Sequence, residues 1–346
     1  MPSPIPVTRL LPKDIYPSLD TGACSSPLTR HPHGPTLQVP VQRLHGKVAG
    51  RLWSSVILWK ELRSVVPVGS GGFGSVYKAD YLGETVALKK VKKCAKNTLA
   101  SRQSFWAELN AAHLRHGNVV RVIAATTCVP AEFEDDSSIG TILMEFVGSR
   151  NLQQIICGCG EWAAERWLRY AADIAQGLRF LHAHSIAHLD VKPANVLVSA
   201  ADVCKIADFG CSLKLDDGRE ASAVSPLLSH VGGTYTHRAP ELLKGEGVST
   251  KADVYSFGIT LWQLITREQP YADKDRQYVL YAVVAHNLRP SVQDDAAFRS
   301  ERGRRCGALL SRCWSGEARG RPGAEELLTR LKELGSWHKH FCSCST

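Results

Sequence analysis

The sequence has no apolar run long enough to cross a membrane and no apolar signal core at its start. A transmembrane helix needs about 20 consecutive apolar residues, and no stretch among the 346 residues approaches that length. The eleven cysteines are odd in number and scattered, which is typical of reduced intracellular thiols rather than a disulfide framework. These absences predict a cytoplasmic protein that does not associate with membranes.

The chain also lacks the features of a nucleic-acid-binding protein. Its formal net charge is +9, but no basic run is interleaved with aromatic residues, so we predict no nucleic-acid partner. The charge favours acidic or phosphate-bearing ligands. A hydrophobic fraction of 44% and a charged fraction of 22% are typical of a soluble globular domain.

Proline divides the chain into segments. Nine of the seventeen prolines lie in the first 58 residues, and proline removes a backbone donor that helices and central strands need. We therefore predict a disordered segment over residues 1–58, one folded domain over residues 59–338 and a short tail over residues 339–346. The apolar pattern becomes regular at about Trp59.

A glycine-rich run, GSGGFGSV, occupies residues 69–76. The pattern G-x-G-x-x-G also opens dinucleotide-binding folds, but there a helix follows and an acidic residue lies about 20 positions on. Here two β-rich runs follow, separated by a turn containing Gly83, which predicts a hairpin. The glycines therefore cap a strand-turn-strand unit that leaves room for phosphates.

Lys89 and Glu108 are predicted to pair. Lys89 ends the strand-like run VALK, and Glu108 lies on the apolar face of a helix predicted over residues 98–115. A carboxylate on a buried face is costly unless it is paired. Pairing with Lys89 removes that cost and positions the ammonium group against the α and β phosphates of a nucleotide.

The run HLDVKPAN, residues 188–195, places three chemically distinct side chains in one loop. Asp190 has the chemistry to accept a hydroxyl proton, Lys192 to neutralise the transferred phosphoryl group, and Asn195 to bind magnesium. Asp208, in the run DFG after a predicted small hairpin, is a second magnesium ligand that bridges to the β and γ phosphates. Together these residues predict phosphoryl transfer.

Further pairings are predicted in the second half of the chain. Residues 253–262 are apolar nearly all round and predict a buried central helix. Asp253, at its start, is expected to cap that helix and to brace the backbone of the 188–195 loop. Arg321 is a candidate buried ion-pair partner for Glu241.

In this order and at this spacing the motifs resemble those of the protein kinases, over roughly residues 60 to 335. The resemblance implies an α+β fold of two lobes: a small lobe with an antiparallel sheet and one main helix, and a larger helical lobe. Lys192 after the proton acceptor and Thr234 in the run GTYTHRAPE are similar to the serine/threonine branch. ATP, magnesium and a protein substrate are the expected ligands.

The site residues follow from these motifs. Met144 is expected to line the back of the adenine pocket, a position equally compatible with a core role, and Glu145 and Val147 offer backbone hydrogen bonds. The expected catalytic residues are Asp190, Lys192, Lys89 and Glu108, with Asn195 and Asp208 on the metal. The expected ATP-binding residues are Val68, Gly69, Ser70, Gly71, Gly72, Phe73, Gly74, Ser75, Val76, Ala87, Lys89, Met144, Glu145 and Val147.

Three segments narrow the resemblance to the Mos kinases: residues 104–110 (SFWAELN), residues 208–212 (DFGCS) and residues 232–245 (GGTYTHRAPELLKG). That resemblance implies a kinase at the top of a mitogen-activated cascade, which phosphorylates the dual-specificity kinase below it. It also implies a role in oocyte maturation and in meiotic metaphase arrest, and a monomer. The alternative is a catalytically silent scaffold with the same fold.

Two positions carry separate hypotheses. Leu189 stands where many kinases have an arginine that grips a phosphorylated activation loop, so we expect activity without phosphorylation of that loop. Cys211, after the DFG run, is either a thiol that faces the nucleotide and reacts with electrophiles or a small space-filling residue.

Overall fold

The computed structural model describes most of the chain from Ser54 onward. The described residues are 54–71, 74–93, 98–130, 138–160, 164–215, 234–293 and 295–341, with only the backbone for Ala164 and residues 336–341. All of them lie in one unit, Gly46–Thr346. The predicted disordered segment up to residue 53, Gly72, Phe73 and residues 216–233 lie outside the described residues.

An antiparallel sheet of five strands forms the small lobe. Its strands lie in the order β1-β2-β3-β5-β4, and the predicted hairpin is the β2–β3 pair. Leu82 and Gly83 form its turn with φ of 51° and 82°, a left-handed geometry that glycine adopts without strain. The strands are β1 (Leu62–Gly71), β2 (Gly74–Tyr81), β3 (Glu84–Lys92), β4 (Val122–Thr126) and β5 (Ser138–Glu145).

The chain already contacts this sheet before Trp59. The Ser54 amide donates to the Ile123 carbonyl at 2.9 Å, and the Ala125 amide donates to the Ser54 carbonyl at 3.0 Å. Ile57 is 4% exposed and packs in the sheet core. The chain therefore contacts the sheet five residues before the start suggested by the apolar pattern, although the first helical turn begins at Trp59.

The main helix of the small lobe is shorter than predicted. Helix α1 spans Thr98–Glu108, and a 3-10 turn follows over Leu109–Ala111, so the helix ends seven residues before the predicted end at 115. The next strand begins only at Val122, although the apolar residues begin at Val119, because the chain first pairs elsewhere. There the Val120 amide donates to the Ile206 carbonyl at 2.8 Å, in the large lobe.

The large lobe is helical, with one extensive apolar core. Helix α3 (Ala164–Ala183) buries the stripe that its 3.6-residue periodicity predicts, and helix α5 (Lys251–Thr266) is buried along most of its length. The other helices are α2 (Leu152–Ile156), α4 (Pro240–Lys244), α6 (Arg276–Ala285), α7 (Glu301–Cys313) and α8 (Ala324–Phe341). The two lobes confirm the predicted α+β kinase fold.

Short strands connect the lobes at the place where the functional motifs lie. The predicted hairpin before the DFG run is confirmed as β8 (Val196–Val198) and β9 (Cys204–Ile206), with β6 (Arg150–Asn151) beside β8. Strand β7 (Ile186–Ala187) pairs with β10 (Leu213–Lys214). The loop 188–195 therefore lies between two short strands, β7 and β8, that fix its ends.

Of the seven cysteines that the structure describes, one departs from the predicted free thiols: Cys128 is disulfide-bonded. The six other described cysteines are free. No helix among the described residues is both long and apolar enough to span a bilayer.

Candidate active site

The described glycines of the run lie at the facing ends of β1 and β2. Gly71 lies opposite Gly74, and Gly69 lies opposite Val76. A Cβ atom at Gly74 would overlap the backbone carbonyl oxygen of Lys90 on strand β3, so only glycine fits there. Gly72 and Phe73, predicted to contact ATP, lie outside the described residues, whereas Ser70 and Ser75 flank the tip with hydroxyls 3.3 Å apart.

Lys89 joins two segments that are distant in sequence. Its ammonium group contacts the Glu108 carboxylate on α1, as predicted, and its Nζ lies 2.7 Å from Oδ1 of Asp208. The Lys89 side chain is 9% exposed and that of Glu108 is 2% exposed. Three ionisable groups from distant segments therefore meet in one site, where Lys89 and Glu108 are buried and the Asp208 side chain is 24% exposed.

Burial and charge act in opposite directions on these groups. Burial lowers the pKa of Lys89, but the Glu108 and Asp208 carboxylates outweigh it, so the net pKa is raised and the ammonium stays charged. Burial raises the pKa of the Glu108 carboxyl, and the Lys89 charge opposes that shift. Burial also disfavours the charged form of Asp208, yet Lys89 holds its pKa well below the usual range.

The DFG segment is tied to α1 through its backbone. The Phe209 amide donates to Oε2 of Glu108 at 3.1 Å, and Phe209 is buried, with its ring edge-on to His188 at a centroid distance of 4.9 Å. Asp208 has φ of 64°, a left-handed conformation uncommon outside glycine. This backbone turns the Asp208 carboxylate toward Lys89.

The Asp190 carboxylate is surrounded by donors. Lys192 Nζ lies 2.7 Å and Asn195 Nδ2 lies 2.8 Å from Oδ2, while the Thr234 amide donates to Oδ1 at 3.1 Å. Lys192 also donates to the Thr234 hydroxyl at 2.6 Å. The structure thus brings together the predicted proton acceptor, the predicted charge-neutralising lysine and the threonine of the GTYTHRAPE run.

The backbone of this loop rests on Asp253, the first-turn acid of α5. Its Oδ2 accepts from the His188 amide at 2.9 Å and its Oδ1 from the Leu189 amide at 2.7 Å, so the predicted brace is confirmed. The predicted cap is wrong, because α5 begins two residues earlier, after Thr250, and no side chain caps it. Burial disfavours the Asp253 charge, but the hydrogen bond from His182 and the charges around it lower its pKa overall. His182 was not predicted, because an isolated histidine late in a helix carries no sequence signal.

The strand that leads out of the small lobe contributes the predicted adenine-facing residues. Met144 lies opposite Ala87 across the β3–β5 pair. The Glu145 amide already donates to the Arg121 carbonyl at 3.0 Å, and its carboxylate pairs with Lys205 at 2.9 Å. The backbone amide of Glu145 is therefore already hydrogen-bonded within the protein, which leaves its backbone carbonyl for the expected contact. Val147 is half-buried.

Two further predictions concern buried side chains. Arg321 pairs with Glu241 through two hydrogen bonds of 2.6 and 2.7 Å, which confirms the predicted ion pair. Cys211 is buried, and burial, with help from nearby carboxylates, raises the pKa of its thiol to about 12. Of the two hypotheses for Cys211, the structure supports the space-filling one, since a thiol protonated at neutral pH is a poor nucleophile.

A second link between α1 and the DFG segment was not predicted. The Ser212 hydroxyl donates to the Ala107 carbonyl at 2.8 Å, and Asn110 Nδ2 lies 3.0 Å from that hydroxyl oxygen. These residues are 105 and 102 positions apart in sequence. Nothing in the local pattern of either segment indicates the contact.

The oxygen donors near Asp208 fit a divalent cation that prefers hard ligands. Asn195 directs its amide nitrogen at both the backbone carbonyl and Oδ2 of Asp190, at 2.9 and 2.8 Å. The amide oxygen of Asn195 therefore takes no part in these hydrogen bonds. The Asp208 carboxyl is ionised. Within the described residues no group of three or more His, Cys, Asp or Glu side chains forms a metal cluster of its own.

Comparison with known proteins places this geometry in a family. A protein kinase domain model matches residues 62–331. The chain is 53% identical over 342 residues to the serine/threonine-protein kinase mos of Xenopus laevis, covering 96% of this chain and 93% of the relative. It is 50% identical over 344 residues to the proto-oncogene serine/threonine-protein kinase mos of Mus musculus, covering 96% and 98%. The chain belongs to the protein kinase family, as a serine/threonine kinase of the Mos type.

Proposed function

We propose that the chain transfers the γ-phosphoryl group of ATP to a serine or threonine hydroxyl of a protein substrate, with Asp190 as the proton acceptor. The observation that carries this proposal is the contact of Lys89 with both Glu108 and Asp208. It joins the nucleotide-facing strand, helix α1 and the DFG segment in one site. Phosphoryl transfer depends mainly on positioning and electrostatics, and this site supplies both.

The roles of the loop residues follow from their contacts. Asp190 orients the substrate hydroxyl and takes its proton, while Lys192 offsets the negative charge on the phosphoryl group. Lys192 also contacts the Thr234 hydroxyl, which lies beside the place that an acceptor hydroxyl occupies when it faces Asp190. Because these groups are already hydrogen-bonded to one another, little reorganisation is needed when the substrate binds.

Asn195 and Asp208 would hold magnesium. When it is bound with ATP, magnesium neutralises phosphate charge and links the nucleotide to these two side chains. Lys89 positions the α and β phosphates. The remaining ATP contacts are proposed for Val68, Gly69, Ser70, Gly71, Gly72, Phe73, Gly74, Ser75, Val76, Ala87, Met144, Glu145 and Val147.

The proposed protein substrate is the dual-specificity kinase of a mitogen-activated cascade. Its phosphorylation would serve oocyte maturation and meiotic metaphase arrest, and we propose that the enzyme acts in the cytoplasm as a monomer. The support for this assignment is the resemblance of residues 104–110, 208–212 and 232–245 to the Mos kinases, together with the identity of about one half to relatives of that name.

The test is a transfer assay with purified protein, labelled ATP and magnesium. A catalytically inactive form of the dual-specificity kinase serves as substrate, and Asp190→Asn, which keeps the size of the side chain but not its basicity, serves as the control. We expect label on serine or threonine of the substrate with the wild type and none with the variant. Transfer that is equal in both would exclude Asp190 as the proton acceptor. No transfer by the wild type to any protein would favour the scaffold.

A further inference from the structure

Arg238 is a half-buried cation without a carboxylate partner among the described residues. It lies in the run THRAP, directly after the 3-10 turn Tyr235–His237. Its Nε atom is shielded from solvent and has no hydrogen-bond partner. Arg321, a more deeply buried arginine of the large lobe, binds a carboxylate. A shielded N–H donor without an acceptor is costly, so this cation is a candidate for binding an anionic ligand.

The backbone that carries Arg238 is fixed. The preceding residue, His237, shares a hydrogen bond of 2.9 Å with the Gln263 side chain of α5, and its carbonyl accepts from the Ser256 hydroxyl at 2.8 Å. Burial lowers the pKa of His237 to about 4, so it is neutral at physiological pH. The turn is thus attached to the buried central helix, and Arg238 is held on rigid support.

Arg238 belongs to a segment that contacts the proposed proton acceptor. Thr234, four residues earlier, donates its amide to Asp190 at 3.1 Å, and the Asp190 carboxylate acts electrostatically on Arg238. Burial nevertheless lowers the pKa of the guanidinium, against the pull of Cys211 and Asp190. Asp190 does not pair with Arg238 because Lys192, Asn195 and the Thr234 amide already use its oxygens.

The nearest acid along the chain is not free to neutralise Arg238. Glu241, three residues on, is bound to Arg321. A second cation lies beside the turn: Arg276, at the start of α6, has its guanidinium 5.6 Å from the centre of the Tyr235 ring. Arg276 is exposed, so water and salt screen it more than Arg238.

We propose that Arg238 binds an acidic side chain of the protein substrate next to the acceptor serine or threonine. The inference rests on the proposed function and adds a determinant of substrate specificity to it. A carboxylate that enters with the substrate pairs with the guanidinium in a fork geometry that arginine offers and lysine does not. Arg238 is therefore a substrate-binding residue, and the enzyme selects acceptor sites flanked by aspartate or glutamate.

The test compares peptides that differ in one charge. Each pair carries one acceptor serine and either Asp or Asn at one position, from two residues before the serine to two after it. For the wild type we expect kcat/KM to favour Asp about 10- to 100-fold at one position, the range for a hydrogen bond to a charged group. In Arg238→Leu that ratio should fall to within about threefold of unity, mainly through KM.

Two further variants make the result specific. Arg276→Leu, at the start of α6 beside the same turn, is the matched control. Its Asp-to-Asn ratio should stay within about twofold of the wild-type ratio, because exposed charges are screened. Arg238→Glu should prefer a Lys peptide over the Asp peptide, a gain that a misfolded variant would not show. Loss of the preference in Arg276→Leu but not in Arg238→Leu would overturn the proposal.

The experiment distinguishes an error in the Arg238 proposal from an error in the proposed kinase activity. A wild type that phosphorylates Asp and Asn peptides equally overturns the role of Arg238 but leaves the kinase activity intact. No transfer to any peptide or protein counts against the proposed function itself. The same anion chemistry is offered by a phosphate on the chain's own serines, so the wild type is also treated with phosphatase. The Asp preference should survive this treatment, and its disappearance would overturn the proposal.

Discussion

Glu108 Oε2 accepts a hydrogen bond of 3.1 Å from the Phe209 amide, across 101 residues of sequence. The other oxygen of this carboxylate contacts Lys89. One side chain of α1 therefore fixes both the lysine that faces the nucleotide and the backbone of the DFG segment. A helix displaced outward would lose both contacts at once.

Glu108→Gln should lower kcat/KM for ATP-dependent transfer by about 100-fold, comparable to removal of one positioned donor in other active sites. The amide is neutral, and its NH2 group cannot accept from the Phe209 amide or from Lys89. Steady-state kinetics with a protein substrate measures the effect. Glu84→Gln, at the sheet surface, is the control, and equal activities of the two variants would contradict the prediction.

Activity should not depend on phosphorylation of the segment after the DFG run. Leu189 is buried in the apolar core of the large lobe and has no charge to bind a phosphate. The triple variant Ser222→Ala, Ser225→Ala, Ser229→Ala, whose positions lie outside the described residues, should keep its activity within about threefold of wild type. A fall of several orders of magnitude in the transfer assay would refute this.

His237 should make the protein less stable in mild acid. Its folded-state pKa is lowered by burial to about 4, against 6.5 in the unfolded chain. Between these values the unfolded state binds more protons, so the free energy of unfolding falls as pH drops from about 6.5 to about 4 and is unaffected by this group above 6.5. The maximum loss is about 3 kcal/mol.

Denaturant unfolding at a series of pH values measures that slope. His237→Asn, which keeps a donor and an acceptor near Gln263 but does not titrate, should flatten the curve between pH 4 and 6.5. An unchanged slope in the variant would assign the acid sensitivity to other groups.

Breaking the pair between Arg321 and Glu241 should cost about 3–5 kcal/mol of unfolding free energy, since the remaining charge stays buried. Arg321 is 2% exposed, and Arg321→Met leaves Glu241 without its partner. The double variant Arg321→Met, Glu241→Leu should recover much of the loss because no charge remains buried. Chemical denaturation of both variants measures the difference, and an unstable double variant would show that packing dominates.

Contacts defined by motifs could be predicted from the sequence. Lys89 with Glu108, Arg321 with Glu241, and Asp253 with the 188–189 backbone all appear in the structure as predicted. In each pair a charged residue lies on an otherwise apolar element, so the cost of burial demands a partner. The order of the motifs along the sequence then indicated which residue is the partner in each pair.

Other features depend on tertiary packing and could not be predicted from local patterns. The apolar residues at 119 and 120 look like the start of a strand, yet Val120 pairs with Ile206 in the large lobe, so the strand starts later. The Ser212 contact with Ala107 and the unpaired Arg238 involve polar residues whose neighbours in sequence give no hint of burial. Both features can be recognised only in the folded structure.

Because Asp253 attaches the Asp190 loop to the large lobe, the two lobes carry different parts of the active site. The loop that carries Asp190 is attached to a helix of the large lobe, whereas Lys89 belongs to the sheet of the small lobe. If the lobes move apart, the distance from Lys89 to Asp208 grows while the surroundings of Asp190 stay as they are. The nucleotide product would then leave while Asp190 keeps its hydrogen-bond partners. Each new catalytic cycle would begin with those contacts already formed.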